Sequence, residues 1–153
     1  MRQRLEVFLF HLVVRVLAFL TRYHLPVMVV TSGLIEEDGR ILFVRRRDGR
    51  GLNLPGGYLT WREDPVDGTI REVREETGLE GSVGPVIGVY GRNTPGRGAG
   101  SIMVVYRMER TGGVLRSSYE GEPVWLTPEE AFGERLAVGT EFILEDYLRQ
   151  QTR

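Results

Sequence analysis

Three glutamates in one short segment have the side chains and the spacing to bind a divalent cation. Glu72, Glu75 and Glu76 stand at positions i, i+3 and i+4 of a segment with a helical pattern, so their side chains share one face. Such carboxylates repel one another unless a cation lies between them, and oxygen ligands without imidazole or thiolate favour Mg²⁺ or Mn²⁺. Because substrate phosphates usually complete the coordination of Mg²⁺, the cluster predicts a ligand that contains phosphate.

The same pattern also fits a solvated acidic helix face, on which Arg71 and Arg74 relieve the repulsion. An apolar stripe on the segment favours the metal-binding interpretation, because it predicts that the opposite face is buried in a core. The stripe consists of Val66, Ile70 and Val73. The carboxylates are then predicted to point towards the turn at residues 55–57, where glycine lets a backbone carbonyl come close to a bound ion.

Local signals define both ends of this helix. Asp64 is a good N-cap residue, Pro65 suits the first helical position, and Asp67 places a carboxylate near the positive end of the helix dipole. Gly78 is the expected C-terminal stop. The sequence therefore predicts a helix over Pro65–Thr77.

Strand-like segments surround the helix. Valine-rich or alternating segments, separated by glycine-rich turns, predict strands at Val27–Ile35, Ile41–Arg47, Ser82–Tyr90, Ser101–Met108 and Pro123–Leu126. The first two read as a hairpin. The sequence from Thr127 to Glu130 is a capping box that opens a short helix, and a last helix is expected from Gly139 or Thr140 to about Arg149. Helices around a mixed sheet predict an α/β (α+β) sandwich.

Size and composition are those of one ordinary globular domain. The chain has 153 residues, a formal net charge of −1 and no cysteine. The charge gives no sign of a nucleic-acid or membrane partner, and the absence of cysteine excludes disulfides and thiolate metal sites. The absence of cysteine is also compatible with the cytoplasm, which is the predicted location.

The N-terminal segment, residues 1–25, is predicted to be an apolar helix that precedes the main domain, residues 26–153. Residues 7–20 are nearly all apolar, but 14 residues are fewer than the roughly 20 that span a bilayer. A narrow polar stripe remains on the helical wheel, formed by Arg4, His11, Arg15 and Arg22. We expect the helix to pack against the domain or against a partner subunit, which favours a homodimer; a helix lying in the membrane interface is the alternative.

The segment around the glutamates resembles the Nudix box of the Nudix (MutT-like) superfamily. The box reads G, five residues, E, seven residues, then R-E-U-x-E-E-x-G-U, where U is a bulky aliphatic residue. Its nine specified positions are occupied by Gly57, Glu63, Arg71, Glu72, Val73, Glu75, Glu76, Gly78 and Leu79. Two unspecified positions depart from many members, which carry glutamate at Thr60 and glycine at Arg62.

This resemblance implies a Nudix-type α/β/α sandwich and hydrolysis of a diphosphate linkage with Mg²⁺, or Mn²⁺, as cofactor. By analogy, the three glutamates and the Gly57 carbonyl bind the metal, Arg71 orients the glutamates, and Glu63 is an auxiliary ligand. The general base stays open. The candidates are Glu75 in the box and Glu120, Glu122 or Glu141 outside it.

The substrate is predicted less directly. Pro95-Gly96 lies beyond the box at the distance seen in Nudix proteins similar to ADP-ribose hydrolases, although it also fits a simple turn. A small nucleotide such as ADP-ribose or a nucleotide sugar is therefore expected. The alternatives are a nucleoside triphosphate pyrophosphatase and a Nudix domain that only binds its ligand. Candidates for phosphate binding are Arg45, Arg47, Arg92 and Arg97, each of which also fits a solvated position.

Overall fold

The computed structural model describes residues 27–91 and 101–152, together with the helical positions Leu12, Val13, Val16 and Phe19. Most of the predicted N-terminal helix lies outside the described residues, as do Arg92, Arg97 and Pro95-Gly96. In the part of the chain that the structure describes, no helix combines the length and the apolar character needed to cross a bilayer.

Two hairpin-forming strands follow from the first valine-rich segment. Strand β1 (Met28–Glu37) turns through Asp38 and Gly39, both with positive φ, into the antiparallel β2 (Arg40–Arg46). Aspartate and glycine are the residues that tolerate this left-handed conformation. The predicted hairpin is therefore confirmed, with boundaries shifted by one or two residues.

Strand β1 connects the two parts of a mixed seven-stranded sheet, as counted over the described residues. The remaining strands are β3 (Leu52–Asn53), β4 (Gly56–Tyr58), β5 (Leu79–Tyr90), β6 (Ser101–Gly113) and β7 (Gly121–Leu126). From Met28 to Ile35, β1 runs parallel to β6, and its first half also pairs with β4. At its end it pairs with β2, which in turn pairs with β3 and β7.

Strands β5 and β6 are longer than predicted. Their additional residues form the far end of a long antiparallel pair, in which Glu80 faces Gly112 and Gly81 faces Arg110. Glycine and charged residues carry no local strand signal, so this pairing is fixed by the partner strand. Register shifts interrupt the pair between Glu80 and Gly81 and again between Val83 and Gly88.

Helices cover both faces of the sheet. Helix α1 (Pro65–Thr77) packs on one face, and α3 (Thr140–Gln151) packs on the other; α2 (Pro128–Phe132) is a short capped turn between β7 and α3. The adjacent residues Leu34 and Ile35 point into separate apolar clusters, as alternation along a strand requires. The predicted α/β/α sandwich is confirmed.

Helix α1 has the predicted boundaries and a buried face that differs from the predicted one. Asp64 Oδ1 accepts a hydrogen bond from Val66 N at 2.8 Å, and Gly78 ends the helix with φ 77°. Val73 is fully buried, but Val66 is 37% exposed, so its predicted burial was wrong. The buried face instead consists of Gly68, Thr69, Glu72, Val73, Glu76 and Thr77. Val66 lies seven residues before Val73 and points to the same side of the helix, so its exposure comes from its position in the first turn and not from its direction.

Strand β1 fixes the start of α1 through Thr31. The Thr31 hydroxyl donates to the carbonyl oxygen of Pro65 at 3.2 Å and also hydrogen-bonds the hydroxyl of Thr69. Thr31 and Thr69 are both fully buried. Because a buried polar group is costly unless it is paired, these contacts determine where the helix begins on the sheet.

Candidate active site

Two consecutive glycines bring the β4 backbone against the glutamates of α1. The amide of Gly56 donates a hydrogen bond to Glu76 Oε2 at 3.1 Å. A Cβ atom at Gly57 would lie 2.6 Å from Glu72 Cδ, and one at Gly56 would collide with the Thr31 carbonyl oxygen. The predicted approach of the turn to the carboxylates is confirmed: Gly56 leaves no room for a Cβ atom, and a Cβ atom at Gly57 would displace the Glu72 carboxylate.

We expect Gly57→Ala to lower kcat by about 10- to 100-fold, because a displacement of about 1 Å at a reacting group is enough for such a loss. The new methyl group must push the Glu72 carboxylate away from the turn. The melting temperature should fall by only a few degrees, since the Glu72 side chain can move. Gly112→Ala is the control, since its Cβ would lie 3.3 Å from the Glu80 carboxylate, away from the site. Equal activity of the two variants would contradict the expected role of this close approach.

Arg71 organises three of the box carboxylates. Its Nε and Nη2 atoms donate to the two oxygens of Glu63 at 2.7 and 2.9 Å. Its Nη1 atom donates to Glu72 Oε1 at 2.8 Å and to Glu75 Oε2 at 3.2 Å. Hydrogen bonding to Glu63, more than any other cause, raises the pKa of Arg71, so the guanidinium stays charged.

Glu63 is fully engaged by neighbouring protein groups. In addition to Arg71, the backbone amide and the hydroxyl of Thr60 donate to Glu63 Oε2 at 2.8 and 3.1 Å. The hydrogen bond from Arg71 is the main reason why the pKa of Glu63 falls to about 2. In this arrangement Glu63 holds Arg71 in place. The same loop places Arg62 at φ 66°, a conformation that favours glycine.

Glu76 is a buried carboxylate that faces a second carboxylate. It is 5% exposed, and burial followed by the neighbouring Glu120 raises its pKa. The pKa of Glu72 is also raised, again chiefly by burial. A buried anion is costly unless a cation or several donors compensate it. Glu72 and Glu76 therefore form an electrostatically unfavourable pair, which a divalent cation would stabilise.

Glu120 reaches this cluster from the loop before β7. Tyr119 donates a hydrogen bond to Glu120 Oε1 at 2.7 Å, and Arg46 Nη1 lies 3.4 Å from Glu120 Oε2. The Glu120 backbone is fixed as well, because its carbonyl accepts from Arg47 N at 3.0 Å. Of the three candidate acids outside the box, Glu120 is the one that lines the cavity beside Glu76.

The glutamates form one wall of a cavity of about 750 Å³. The cavity is also lined by basic, aromatic and polar side chains, among them Arg46, Arg50, Arg71, Arg135, Asn53, Tyr58 and Tyr119. In the described ranges, no three acidic or histidine side chains converge tightly enough to hold an ion as they stand. Glu72 and Glu75 are instead turned towards Arg71, so binding of an ion requires these side chains to rotate.

Several of the predicted site residues lie away from the cavity. Arg45 forms an ion pair with Glu134, with 2.9 Å between Nη2 and Oε1, and Arg47 and Glu141 are exposed and do not line the cavity. Glu122 is the cross-strand partner of Arg45 on β7. Arg92 and Arg97 lie outside the described residues.

The cavity wall contains Arg46 where the sequence favoured its neighbours Arg45 and Arg47. Residue 46 is opposite Gly121 in the β2–β7 pair, next to Glu120. Alternation along β2 places Arg46 on the opposite side from Arg45 and Arg47, but which of the two sides faces the cavity depends on the register with β7. Arg50, Tyr119 and Arg135 also line the cavity and carried no signal in the sequence.

The fold and the site together define a class of protein: an α/β/α sandwich with a glutamate-rich helix held against a glycine turn. The NUDIX domain family model matches residues 24–146. The chain is 30% identical to the ADP-ribose pyrophosphatase of Methanocaldococcus jannaschii, over 84% of this chain and 77% of that protein. It is 31% identical to the CTP pyrophosphohydrolase of Escherichia coli, over 78% of this chain and 90% of that protein.

A solved structure agrees with these matches. The MutT protein of Methanosarcina mazei has a TM-score of 0.71 and 28% identity, and the alignment covers 85% of this chain and 99% of that one. The chain therefore belongs to the Nudix family, which confirms the resemblance of its box. It is a pyrophosphohydrolase that acts on a nucleotide derivative, and enzymes of this family generally use divalent metal ions.

Proposed function

We propose that the enzyme uses Mg²⁺ to hydrolyse the diphosphate linkage of a nucleoside diphosphate derivative, with ADP-ribose as the first candidate substrate. The observation that carries the proposal is the buried Glu76 beside Glu120, in a cavity that is large enough for part of a nucleotide. The relative from M. jannaschii, named an ADP-ribose pyrophosphatase, supports this substrate.

The donor set fits a hard cation. Its groups are the carboxylates of Glu72, Glu75 and Glu76 and the backbone carbonyl of Gly57, all oxygen donors of the kind that Mg²⁺ and Mn²⁺ prefer. The raised pKa values of Glu72 and Glu76 support the fit, because a cation between these side chains would offset the cost of their burial. When bound, the metal supplies charge neutralisation at the diphosphate and lowers the pKa of the attacking water.

The side chains of the protein position the metal ligands, activate water and bind the phosphate groups. Arg71 pairs with Glu72 and Glu75 and balances their charge until an ion binds, and Glu63 keeps Arg71 in position. Glu120 is our proposed general base, because its carboxylate lies in the cavity and is held from both sides by Tyr119 and Arg46. The cavity arginines, led by Arg46, would bind phosphate oxygens.

A second candidate is a nucleoside triphosphate pyrophosphatase. The arginines Arg46, Arg50 and Arg135 around the cavity favour a substrate with more negative charge than ADP-ribose, and the E. coli relative is named a CTP pyrophosphohydrolase. A domain that only binds nucleotide is disfavoured, because all nine specified box positions are occupied. Dimer formation through the N-terminal helix and a cytoplasmic location stay predictions.

We expect the purified protein with Mg²⁺ to hydrolyse one class of substrate in a panel of ADP-ribose, NADH, sugar nucleotides, dinucleoside polyphosphates and nucleoside triphosphates. Products should be separated by anion-exchange chromatography, because they distinguish the candidates. ADP-ribose would give AMP and ribose 5-phosphate, whereas a triphosphate would give a monophosphate and pyrophosphate. Addition of EDTA should abolish turnover, and Mg²⁺ in excess should restore it. If none of these compounds is hydrolysed, the proposal is wrong for these substrates.

A further inference from the structure

The loop between β2 and β3 contains a carboxylate that binds two of the cavity arginines. Arg46 Nε lies 3.2 and 3.1 Å from the two oxygens of Asp48, and Arg46 Nη2 lies 2.9 Å from Asp48 Oδ2. Arg50 Nε and Nη2 both lie 2.7 Å from the same Oδ2 atom. One aspartate thus joins two guanidiniums that line the wall of the cavity.

The backbone of the loop holds Asp48 in a position from which it contacts both Arg46 and Arg50. The amide of Arg50 donates to Asp48 Oδ1 at 3.1 Å, and Arg46 N donates to Gly51 O at 3.1 Å to close the loop. Gly49 and Gly51 have φ of 77° and 101°, a conformation that glycine adopts without strain. The position of Asp48 is therefore fixed by the loop and does not depend on the arginines alone.

Asp48 also determines which edge of Arg46 is free. Because Asp48 occupies Nε and Nη2, the opposite edge with Nη1 faces Glu120, next to the Glu76 carboxylate. The Arg46 side chain is 19% exposed, so its guanidinium lies within the cavity wall. Arg46 Nη1 therefore points towards the glutamates. If these glutamates bind a metal ion, the diphosphate that the ion coordinates must lie close to Arg46.

We propose that Asp48 is a positioning residue that holds Arg46 and Arg50 as a paired guanidinium subsite for the diphosphate of the substrate. This inference rests on the proposed function for the identity of the ligand, a nucleoside diphosphate group. Phosphate oxygens are bound by the N–H groups that Asp48 leaves free, and Asp48 keeps the two side chains in place before the substrate arrives.

The sign of the effect of Asp48→Asn distinguishes this role from simple electrostatics. Removal of a negative charge beside two arginines would by itself strengthen the binding of an anion. Loss of positioning would weaken it, because both arginines become free to adopt other rotamers. We expect the second effect to prevail, with ADP bound about tenfold more weakly than by the wild-type protein.

The test is isothermal titration calorimetry of the full chain with ADP at low ionic strength, in buffer that contains EDTA and no metal. Arg50→Gln should weaken ADP binding as well. Asp38→Asn is the matched control, since Asp38 lies at an exposed turn between β1 and β2 and does not line the cavity. For a substrate that the wild-type enzyme hydrolyses, Asp48→Asn should raise KM by a similar factor and change kcat less than about threefold, because the contact is made in both the ground and transition states.

Equal or tighter binding of ADP by Asp48→Asn would overturn the proposal, as would an equal loss in Asp38→Asn. Failure of the wild-type protein to bind ADP at any ionic strength would overturn it too. The proposed function can fail while this proposal stands. If ADP binding depends on Asp48 but no compound of the panel is hydrolysed, the subsite is supported and the proposed substrates are not.

Discussion

Replacement of Glu76 by glutamine is expected to lower kcat by about 10³-fold and, in the metal-free protein, to increase stability at pH 8. The loss of activity follows from the removal of a metal-binding oxygen at the centre of the proposed site. The gain in stability follows from the burial of Glu76, which is 5% exposed and faces the Glu120 carboxylate. A neutral glutamine keeps the shape and can still accept the hydrogen bond from Gly56 N.

The pH dependence should have a definite sign. Burial, and then Glu120, raises the pKa of Glu76 to about 8, above its ordinary carboxylate range. A group whose pKa is raised on folding contributes stability that is fully present below its unfolded pKa and is lost as pH rises through its folded pKa. With EDTA present, the melting temperature of the wild-type protein should therefore fall between about pH 5 and 8 more steeply than that of Glu76→Gln.

Differential scanning fluorimetry at several pH values, with EDTA or with Mg²⁺, measures this effect. At pH 8 without metal the variant should melt about 3–6 °C higher than the wild-type protein, which corresponds to on the order of 1–2 kcal/mol for a domain of this size. Mg²⁺ should stabilise the wild-type protein and have little effect on the variant. Glu80→Gln, an exposed position on β5, is the control for loss of one charge. Parallel pH profiles for the wild-type protein and Glu76→Gln would contradict the expected burial of charge.

Replacement of Glu120 by glutamine is expected to lower kcat by about 10²-fold, whereas Glu122→Gln should leave kcat unchanged. The two residues are close in sequence and have the same side chain, but only Glu120 lines the cavity. Glu122 is exposed on β7 opposite Arg45. Glutamine keeps the shape of the side chain but can accept only one of the hydrogen bonds from Tyr119 and Arg46, so the variant removes the charge and one hydrogen bond together.

Steady-state kinetics with the substrate found in the panel should show the loss in kcat, with KM changed much less. The pH profile adds a second readout, because loss of a general base should remove or displace the acidic limb of the kcat profile. Tyr119→Phe removes the 2.7 Å hydrogen bond to Glu120 and should have a smaller effect in the same direction. Similar activity of Glu120→Gln and Glu122→Gln would exclude Glu120 as the base.

Local signals in the sequence were sufficient for the element that carries the chemistry. Asp64, Pro65 and Gly78 determine the ends of α1 through short-range capping, and the observed helix has the predicted bounds. The spacing of the three glutamates follows from the helix alone. The approach of the Gly56-Gly57 turn was also predictable, because two consecutive glycines let a backbone segment come close to neighbouring side chains.

What the sequence could not supply depends on long-range pairing. Glu120 was one of three equivalent acids outside the box until the loop before β7 placed it beside Glu76, while Glu122, within the strand and opposite Arg45, stays outside the cavity. The register of β7 on β2 selected Arg46 over Arg45 for the cavity wall. A shift of one residue in a strand pair reverses which side chains face a site, and nothing local to these residues determines that shift.

The attachment of α1 to β1 through Thr31 has a consequence for how the site is lost when the protein unfolds. The start of the helix is hydrogen-bonded to a strand that pairs with β2, β4 and β6. Detaching the helix would leave the buried hydroxyls of Thr31 and Thr69 unpaired. The free energy of local opening at this point is therefore comparable to that of separating strands of the central sheet. The glutamate-bearing helix thus belongs to the same cooperative folding unit as β1. Destabilising substitutions elsewhere in the domain would therefore reduce the number of active molecules and leave the turnover of each folded molecule intact.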